Sequence, residues 1–242
     1  MKALLLGSTS TIGRAVAREL ARDGIDLVLA GRDSSELHRQ ASDLSIRYRQ
    51  QNVFFDIGEF YPHFQKIEKI FNDHSDIDEV YCFIGYLGDQ QLAETDAEER
   101  EKILQVNYAT SVHLLSEAAN FLERKRRGKM IIFGSVAGDR GRRSNYFYGS
   151  AKSGLHTFVD GLRARLFSKK IHVMLVKPGY VDTPMTWGKP GIFWAASPEK
   201  VARTILRKKE KGKRELYVPW FWKPIMLVIR MFPESIFMRF PL

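Results

Sequence analysis

Lys2-Ala3-Leu4-Leu5-Leu6-Gly7-Ser8-Thr9-Ser10-Thr11-Ile12-Gly13 decides how the chain is organised. The apolar run is too short for a helix and ends at a glycine. Ile12, Val16 and Leu20 then recur on one helical face. A strand, a glycine-bounded turn and a helix follow one another within about twenty residues. The same alternation continues. Residues 25–30 read as a second strand, and Ser34 as the cap of a helix running toward Arg49. Residues 52–55 and 78–84 read as the third and fourth strands, and 97–124 as one long helical segment. Residues 130–134 and 171–176 read as further strands, separated by a helix over 146–167. Ser197-Pro198-Glu199 is a helix start, with serine at the cap and proline in the first turn. Residues 216–218 read as a seventh strand.

Strands that alternate with helices predict an α/β fold, a doubly wound sheet of about seven mostly parallel strands with helices on both faces. In such sheets ligands bind beyond the carboxyl ends of the strands. No Pro/Gly/Ser-rich linker divides the 242 residues. The expected organisation is one domain over 1–215, followed by an apolar, aromatic extension over 216–242. The single cysteine, Cys82, cannot form an internal disulfide, and the chain opens directly into a strand with no signal-peptide pattern. A cytoplasmic protein is expected.

The formal net charge of +10 is clustered at residues 124–127, at Arg140, Arg142 and Arg143, and at 208–214. Such runs are either solvated faces or contacts with an anionic partner, whether nucleic acid, membrane or phosphorylated substrate. No nucleic-acid recognition motif accompanies them, so no nucleic-acid partner is expected. The six histidines show no ligand spacing, so no metal is expected.

Two groups of residues carry chemistry. The turn after the first strand contains Gly7, Thr9, Ser10, Thr11, Ile12 and Gly13. Glycine lets a backbone approach a pyrophosphate closely, and the N-terminus of the following helix favours an anion; an ordinary βα turn is the alternative. Tyr148 and Lys152 stand four apart on a helix and share a face. A cation beside a phenol favours the phenolate and lowers its pKa. Ser135 lies at the end of the fifth strand, thirteen residues before Tyr148.

Together these residues resemble the short-chain dehydrogenase/reductases of classical type, with a Rossmann-type sheet. That family has a Gly-x-x-x-Gly-x-Gly turn, in which Thr11 here takes the middle place. The resemblance spans residues 2–185. It implies an NAD(P)-dependent oxidoreductase in which Ser135 polarises the carbonyl and Tyr148 moves the proton. Lys152 holds the nicotinamide ribose, and Asn107 helps hold a water. It also places Asp56 and Ile57 at the adenine, Gly85 beside the cofactor, and Pro178, Gly179, Val181 and Thr183 at the nicotinamide. Gly31 stands where NAD-specific members carry an acid, and Arg32 can pair with a 2′-phosphate, which points to NADPH, with NADH as the alternative. The stretch Cys82-Phe83-Ile84-Gly85 departs from the family's Asn-Asn-Ala-Gly.

Residues 84–89, 137–150 and 233–242 are similar to the decaprenylphosphoryl-2-keto-ribose reductases of cell-wall synthesis. That resemblance implies a keto sugar on a polyprenyl phosphate as substrate and a flavin-dependent oxidase as partner. Arg140, Arg142 and Arg143 would then meet the phosphate. The aromatic and cationic C-terminus would make a peripheral contact with the inner face of a membrane, since its uncharged run is too short to span one. Family members form dimers or tetramers, so a homo-oligomer is expected. A soluble or acyl ketone as substrate and a non-catalytic dinucleotide sensor are the competing readings.

Overall fold

The computed structural model describes residues 1–49, 53–56, 65–187 and 194–239, with backbone alone at 53–56 and 65. Among these residues seven strands, β1 (Lys2–Leu6), β2 (Asp26–Gly31), β3 (Val53–Asp56), β4 (Ile77–Cys82), β5 (Lys129–Phe133), β6 (His172–Pro178) and β7 (Glu215–Val218), form one sheet. Their order is β3-β2-β1-β4-β5-β6-β7, and every pairing is parallel. The chain winds outward in one direction from β1 to β3 and in the other from β4 to β7. The order therefore reverses between β1 and β4, and a crevice opens there at the carboxyl ends of the strands.

The strands are apolar along their whole length because helices cover both faces. Leu4, Leu6, Val80 and Ile132 point to one face and pack with α3 (Gln65–Asp73), α6 (Thr110–Lys125) and α7 (Tyr146–Phe167). Their neighbours Ala3, Leu5, Tyr81 and Ile131 point to the other, against α1 (Thr11–Arg22), α2 (Ser34–Tyr48) and α8 (Pro198–Glu210). Two short helices, α4 (Gln90–Thr95) and α5 (Ala97–Leu104), precede α6. The chain beyond β7 carries α9 (Trp222–Met231) and α10 (Glu234–Phe237).

Several boundaries differ from the sequence reading. Asp33, not Ser34, caps α2, and its carboxylate accepts from the Glu36 N–H at 3.0 Å. An aspartate one residue earlier reaches the free amides of the first turn and leaves Ser34 inside the helix. The segment over 97–124 is not one α-helix: residues Gln105–Ala109 form a π-turn between α5 and α6. The third strand is Val53–Asp56; residue 52 and Ile57 lie outside the described residues. β7 pairs with β6 through Leu216 to Val218, so the sheet itself runs past residue 215.

At the end of the sheet away from the crevice, Lys209 of α8 is buried and ion-paired with Glu79 at 2.6 Å, and Tyr81 donates to the same carboxylate at 2.6 Å. Removing one partner leaves a buried charge poorly compensated. Lys209→Met should therefore lower unfolding stability by about 3 kcal/mol in urea titrations. Activity per folded molecule should be unchanged, because the pair lies at the amino ends of the strands.

Candidate active site

Two adjoining cavities occupy the crevice. One of about 630 Å³ runs from Gly7 and Ser10 past Gly31, Arg32 and Asp33 to Gln105. The other, of about 360 Å³, holds Ser135, Tyr148 and Lys152 on one wall and Pro178, Gly179, Val181 and Thr183 on another. Thr9, Ser10, Phe83, Ile84 and Gly85 line both, so the two form a single groove. Of the turn residues singled out in the sequence, Gly7, Thr9 and Ser10 line the first cavity, and Thr9 to Ile12 line the second. Gly13 lies behind, in the first turn of α1, and donates its N–H to Ser10 Oγ at 3.1 Å.

The local sequence explains this shape. Gly7 adopts φ +77°, a left-handed conformation open to glycine, and turns the chain off β1. Ser10 then caps α1. The helix N-terminus consequently faces the groove, where backbone N–H groups and the helix dipole favour a phosphate. Gln105 Nε2 is buried without a hydrogen-bond partner on the same groove. A dinucleotide fits these walls: pyrophosphate at the Ser10 turn, adenosine toward Gly31 and Arg32, nicotinamide toward Tyr148 and Gly179. Arg32 is exposed and, among the described residues, forms no ion pair; its neighbours Arg14 and Arg39 are both held by Glu36. Asp56 ends β3 opposite Gly31, but its side chain lies outside the described part of the molecule.

The second cavity contains the residues that the sequence assigns to catalysis. Tyr148 lies in the first turn of α7 and Lys152 one turn on, both buried. The Lys152 ammonium donates to the carbonyls of Ile84 at 3.3 Å and Phe133 at 3.2 Å, at the ends of β4 and β5. It stands 5.8 Å from the centre of the Tyr148 ring. Burial holds Lys152 down to about 8. Burial also pushes the Tyr148 phenol up to about 12, opposed by a hydrogen bond from Ser135. The expected lowering of the phenol by the lysine is therefore corrected: desolvation dominates in this geometry and raises the phenol instead. Tyr148 carries its proton at neutral pH.

Ser135 follows β5 and caps a short 3₁₀ turn, accepting from the Ala137 N–H at 3.1 Å. That bond occupies a lone pair and leaves the hydroxyl hydrogen for Tyr148. Behind it, His156 Nε2 lies 3.4 Å from the Ser135 nitrogen and Nδ1 lies 3.5 Å from Asp139. Burial drives His156 down to about 3, so the imidazole is neutral. Sequence spacing gives no hint of this histidine, because its partners come from a loop that is adjacent only in the fold.

Asn107 sits in the π-turn, wholly buried. Its amide accepts from the Tyr86 N–H at 3.1 Å and donates to the carbonyls of Tyr86 and Ile103. The widened turn lets one side chain clamp the strand end that carries Gly85. A Cβ on Gly85 would stand 3.4 Å from Asn107 Oδ1 and 3.6 Å from Lys152 Nζ, which places all three together.

The three arginines of the 140–143 loop have different surroundings. Arg140 donates to the carbonyls of Ile229 and Phe232 and lies over the Phe237 ring, so it fastens the C-terminal helices. Arg143 is exposed. Arg142 is drawn inward against Met226 of α9.

The sheet order and the Ser135–Tyr148–Lys152 group at its crevice define a dinucleotide-dependent oxidoreductase. The chain belongs to the short chain dehydrogenase family, whose profile matches residues 1–190. It is 34% identical over 244 residues to an uncharacterized oxidoreductase of Mycobacterium tuberculosis, covering 98% of this chain and 96% of that protein. It is 31% identical over 184 residues to the 3-oxoacyl-[acyl-carrier-protein] reductase of Haemophilus influenzae, covering 76% and 75%. Its fold matches a short-chain dehydrogenase from Sphingobium yanoikuyae in complex with NADPH, with a TM-score of 0.83 at 20% identity, covering 97% of this chain and 98% of the other.

Because Lys152 sits at about 8 in the folded state against an ordinary 10.5, its charged form opposes folding below pH 8. Lys152→Met should therefore raise stability at pH 7, by less than about 3 kcal/mol since two hydrogen bonds are also lost. The gain should fade as pH rises from 8 through 10.5, and thermal melts at pH 7 and pH 10 would show it. Turnover should fall at least about a thousandfold.

Proposed function

We propose that this protein reduces a ketone to a secondary alcohol with NADPH. The observation that carries this reading is Ser135 beside the buried Tyr148 and Lys152 on one wall of the cavity that Pro178, Gly179, Val181 and Thr183 also line. The reduced dinucleotide supplies the hydride. Ser135 donates a hydrogen bond to the substrate oxygen as negative charge develops on it. Tyr148 Oη delivers its proton to that oxygen and is left as a phenolate beside Lys152. Lys152 bonds the cofactor ribose while its contacts with Ile84 and Phe133 fix its height in the groove. Asn107 holds the Gly85–Tyr86 backbone against which the cofactor lies. Arg32, which forms no ion pair among the described residues, would take the 2′-phosphate. Arg32→Ala should raise the KM for NADPH by about 10- to 100-fold and leave that for NADH nearly unchanged.

The substrate reading is a keto-pentose on a polyprenyl phosphate, with a flavin-dependent oxidase as the source of the ketone. What supports it is the apolar surface beside the cleft. Met185 lines the cavity and Trp187 beside it is 66% exposed; Trp194 and Phe221 meet edge to face; Trp220, Leu227, Met231 and Met238 are exposed on the extension. Lys223, Arg230 and Arg239 lie among them, as on segments that rest on an anionic bilayer. Among the described residues no helix is long and apolar enough to cross a membrane. A second copy of the chain is the other expected contact.

The test is cofactor oxidation with a synthetic polyprenylphosphoryl 2-keto-pentose and, in parallel, a soluble 3-ketoester, with NADPH and NADH and with Tyr148→Phe as control. The reading expects turnover of the lipid with NADPH, abolished in Tyr148→Phe with cofactor binding kept. Turnover of the ketoester alone would replace the substrate claim. Cofactor binding without turnover of any ketone would overturn the reductase reading and leave a dinucleotide sensor.

A further inference from the structure

We infer that Arg142 and Trp222 form an anion-binding subsite on the substrate side of the cleft. The inference rests on the reductase reading only in taking the bound anion to belong to the substrate.

Arg142 is partly buried, and among the described residues it forms no ion pair. One of its nitrogens, Nη2, donates to the Met226 thioether at 3.1 Å, and Nε is buried with no hydrogen-bond partner. Two of the buried lysines, by contrast, have found acids, Lys177 in Asp139 and Lys209 in Glu79, and the third, Lys152, has two backbone carbonyls. The acid nearest in influence to Arg142 is Asp139, which is already taken by Lys177 at 2.8 Å and by the Tyr217 hydroxyl at 2.7 Å. A partly desolvated guanidinium without a counter-charge is costly, and thioether sulfur is a weak acceptor. A ligand anion removes that cost.

A second donor stands beside it. Trp222 Nε1, one helical turn before Met226, is also buried and has no hydrogen-bond partner among the described residues. Its indole lies so close to the nicotinamide loop that a Cβ on Gly179 would fall 1.8 Å from Nε1. Tyr180 meets the Trp222 ring edge to face at 5.4 Å. Arg142, Tyr180, Trp222 and Met226 are thus one contiguous cluster adjoining Gly179, which lines the catalytic cavity. Asn145 Oδ1, three residues before Tyr148, is a buried acceptor without a partner. Its own N–H bonds the Arg142 carbonyl at 3.2 Å. Two unpaired donors and one unpaired acceptor fit a ligand that brings an anionic oxygen, phosphoryl or carboxylate, together with a hydroxyl.

The test uses the enzyme saturated with NADP⁺, so that the cofactor's phosphates occupy their own site. Geranyl phosphate, geranic acid and the neutral geraniol are titrated by calorimetry. The subsite predicts that at least one anion binds about tenfold or more tightly than geraniol. Arg142→Met should erase the preference, Arg142→Lys should keep part of it, and Trp222→Phe should reduce it. Unchanged NADP⁺ affinity in the Arg142 variants shows that they fold. A stronger preference for geranyl phosphate assigns a phosphoryl group, and one for geranic acid a carboxylate. Equal binding of all three ligands, or a preference that survives in Arg142→Met, overturns the subsite. An enzyme that discriminates in this way yet turns over no ketone loses the reductase reading and keeps the subsite.

Discussion

The Lys152 ammonium bridges the carbonyls of Ile84 and Phe133, at the ends of two adjacent strands, and the rest of the site is arranged about it. Those carbonyls are free because β4 and β5 stop at the crevice where the strand order reverses. The amine reaches them because α7 lies across the strand ends and places Tyr148 and Lys152 on one face. A buried ammonium held by neutral carbonyls is poorly solvated, and the depressed pKa of Lys152 records that strain. The chain keeps a charged group where folding alone would favour an apolar one. Such local conflict is what a functional site looks like against an otherwise consistent core.

That core is legible in the sequence because a parallel sheet covered on both faces needs unbroken apolar strands, and few other folds set short apolar runs between helical patterns. The turn at Gly7, the Tyr148/Lys152 pair and Ser135 are legible for a related reason. Each stands just after a strand or within one helical turn, where spacing in sequence fixes spacing in space. The π-turn at Asn107 is not legible. Helical periodicity runs smoothly through it, and the single extra residue per turn is decided by the amide's bonds to Tyr86 and Ile103. Nor is the His156–Asp139–Lys177–Tyr217 cluster, whose members are scattered along the sequence and meet only when β6, β7 and α7 pack. The Tyr148 shift runs against its expected sign because a sequence shows a nearby cation but not the depth of burial.

The substrate side joins two segments that are distant in sequence. The loop before Tyr148 grips the chain beyond β7 through Arg140, while Arg142 bonds Met226, which packs in one cluster with Trp222. The helix α9 is thereby packed against Gly179, which lines the catalytic cavity, as well as being a surface element. Its inner residue Met226 is buried, whereas Leu227 and Val228 beside it are open to solvent. One short helix therefore ties the charge-recognising interior to the apolar exterior, so the identity of the ketone and the nature of the surface it comes from are linked questions.

The proposed reduction requires that Tyr148 wait as a neutral acid and give up its proton as the hydride arrives. The most direct measurement is the titration of its phenol by NMR of protein carrying ¹³Cζ-labelled tyrosine, with the resonance assigned by its absence in Tyr148→Phe. A buried acid of this kind stays protonated through about pH 10 and titrates near 12. A midpoint near neutrality would contradict that role, because the group would then be a phenolate with no proton to give.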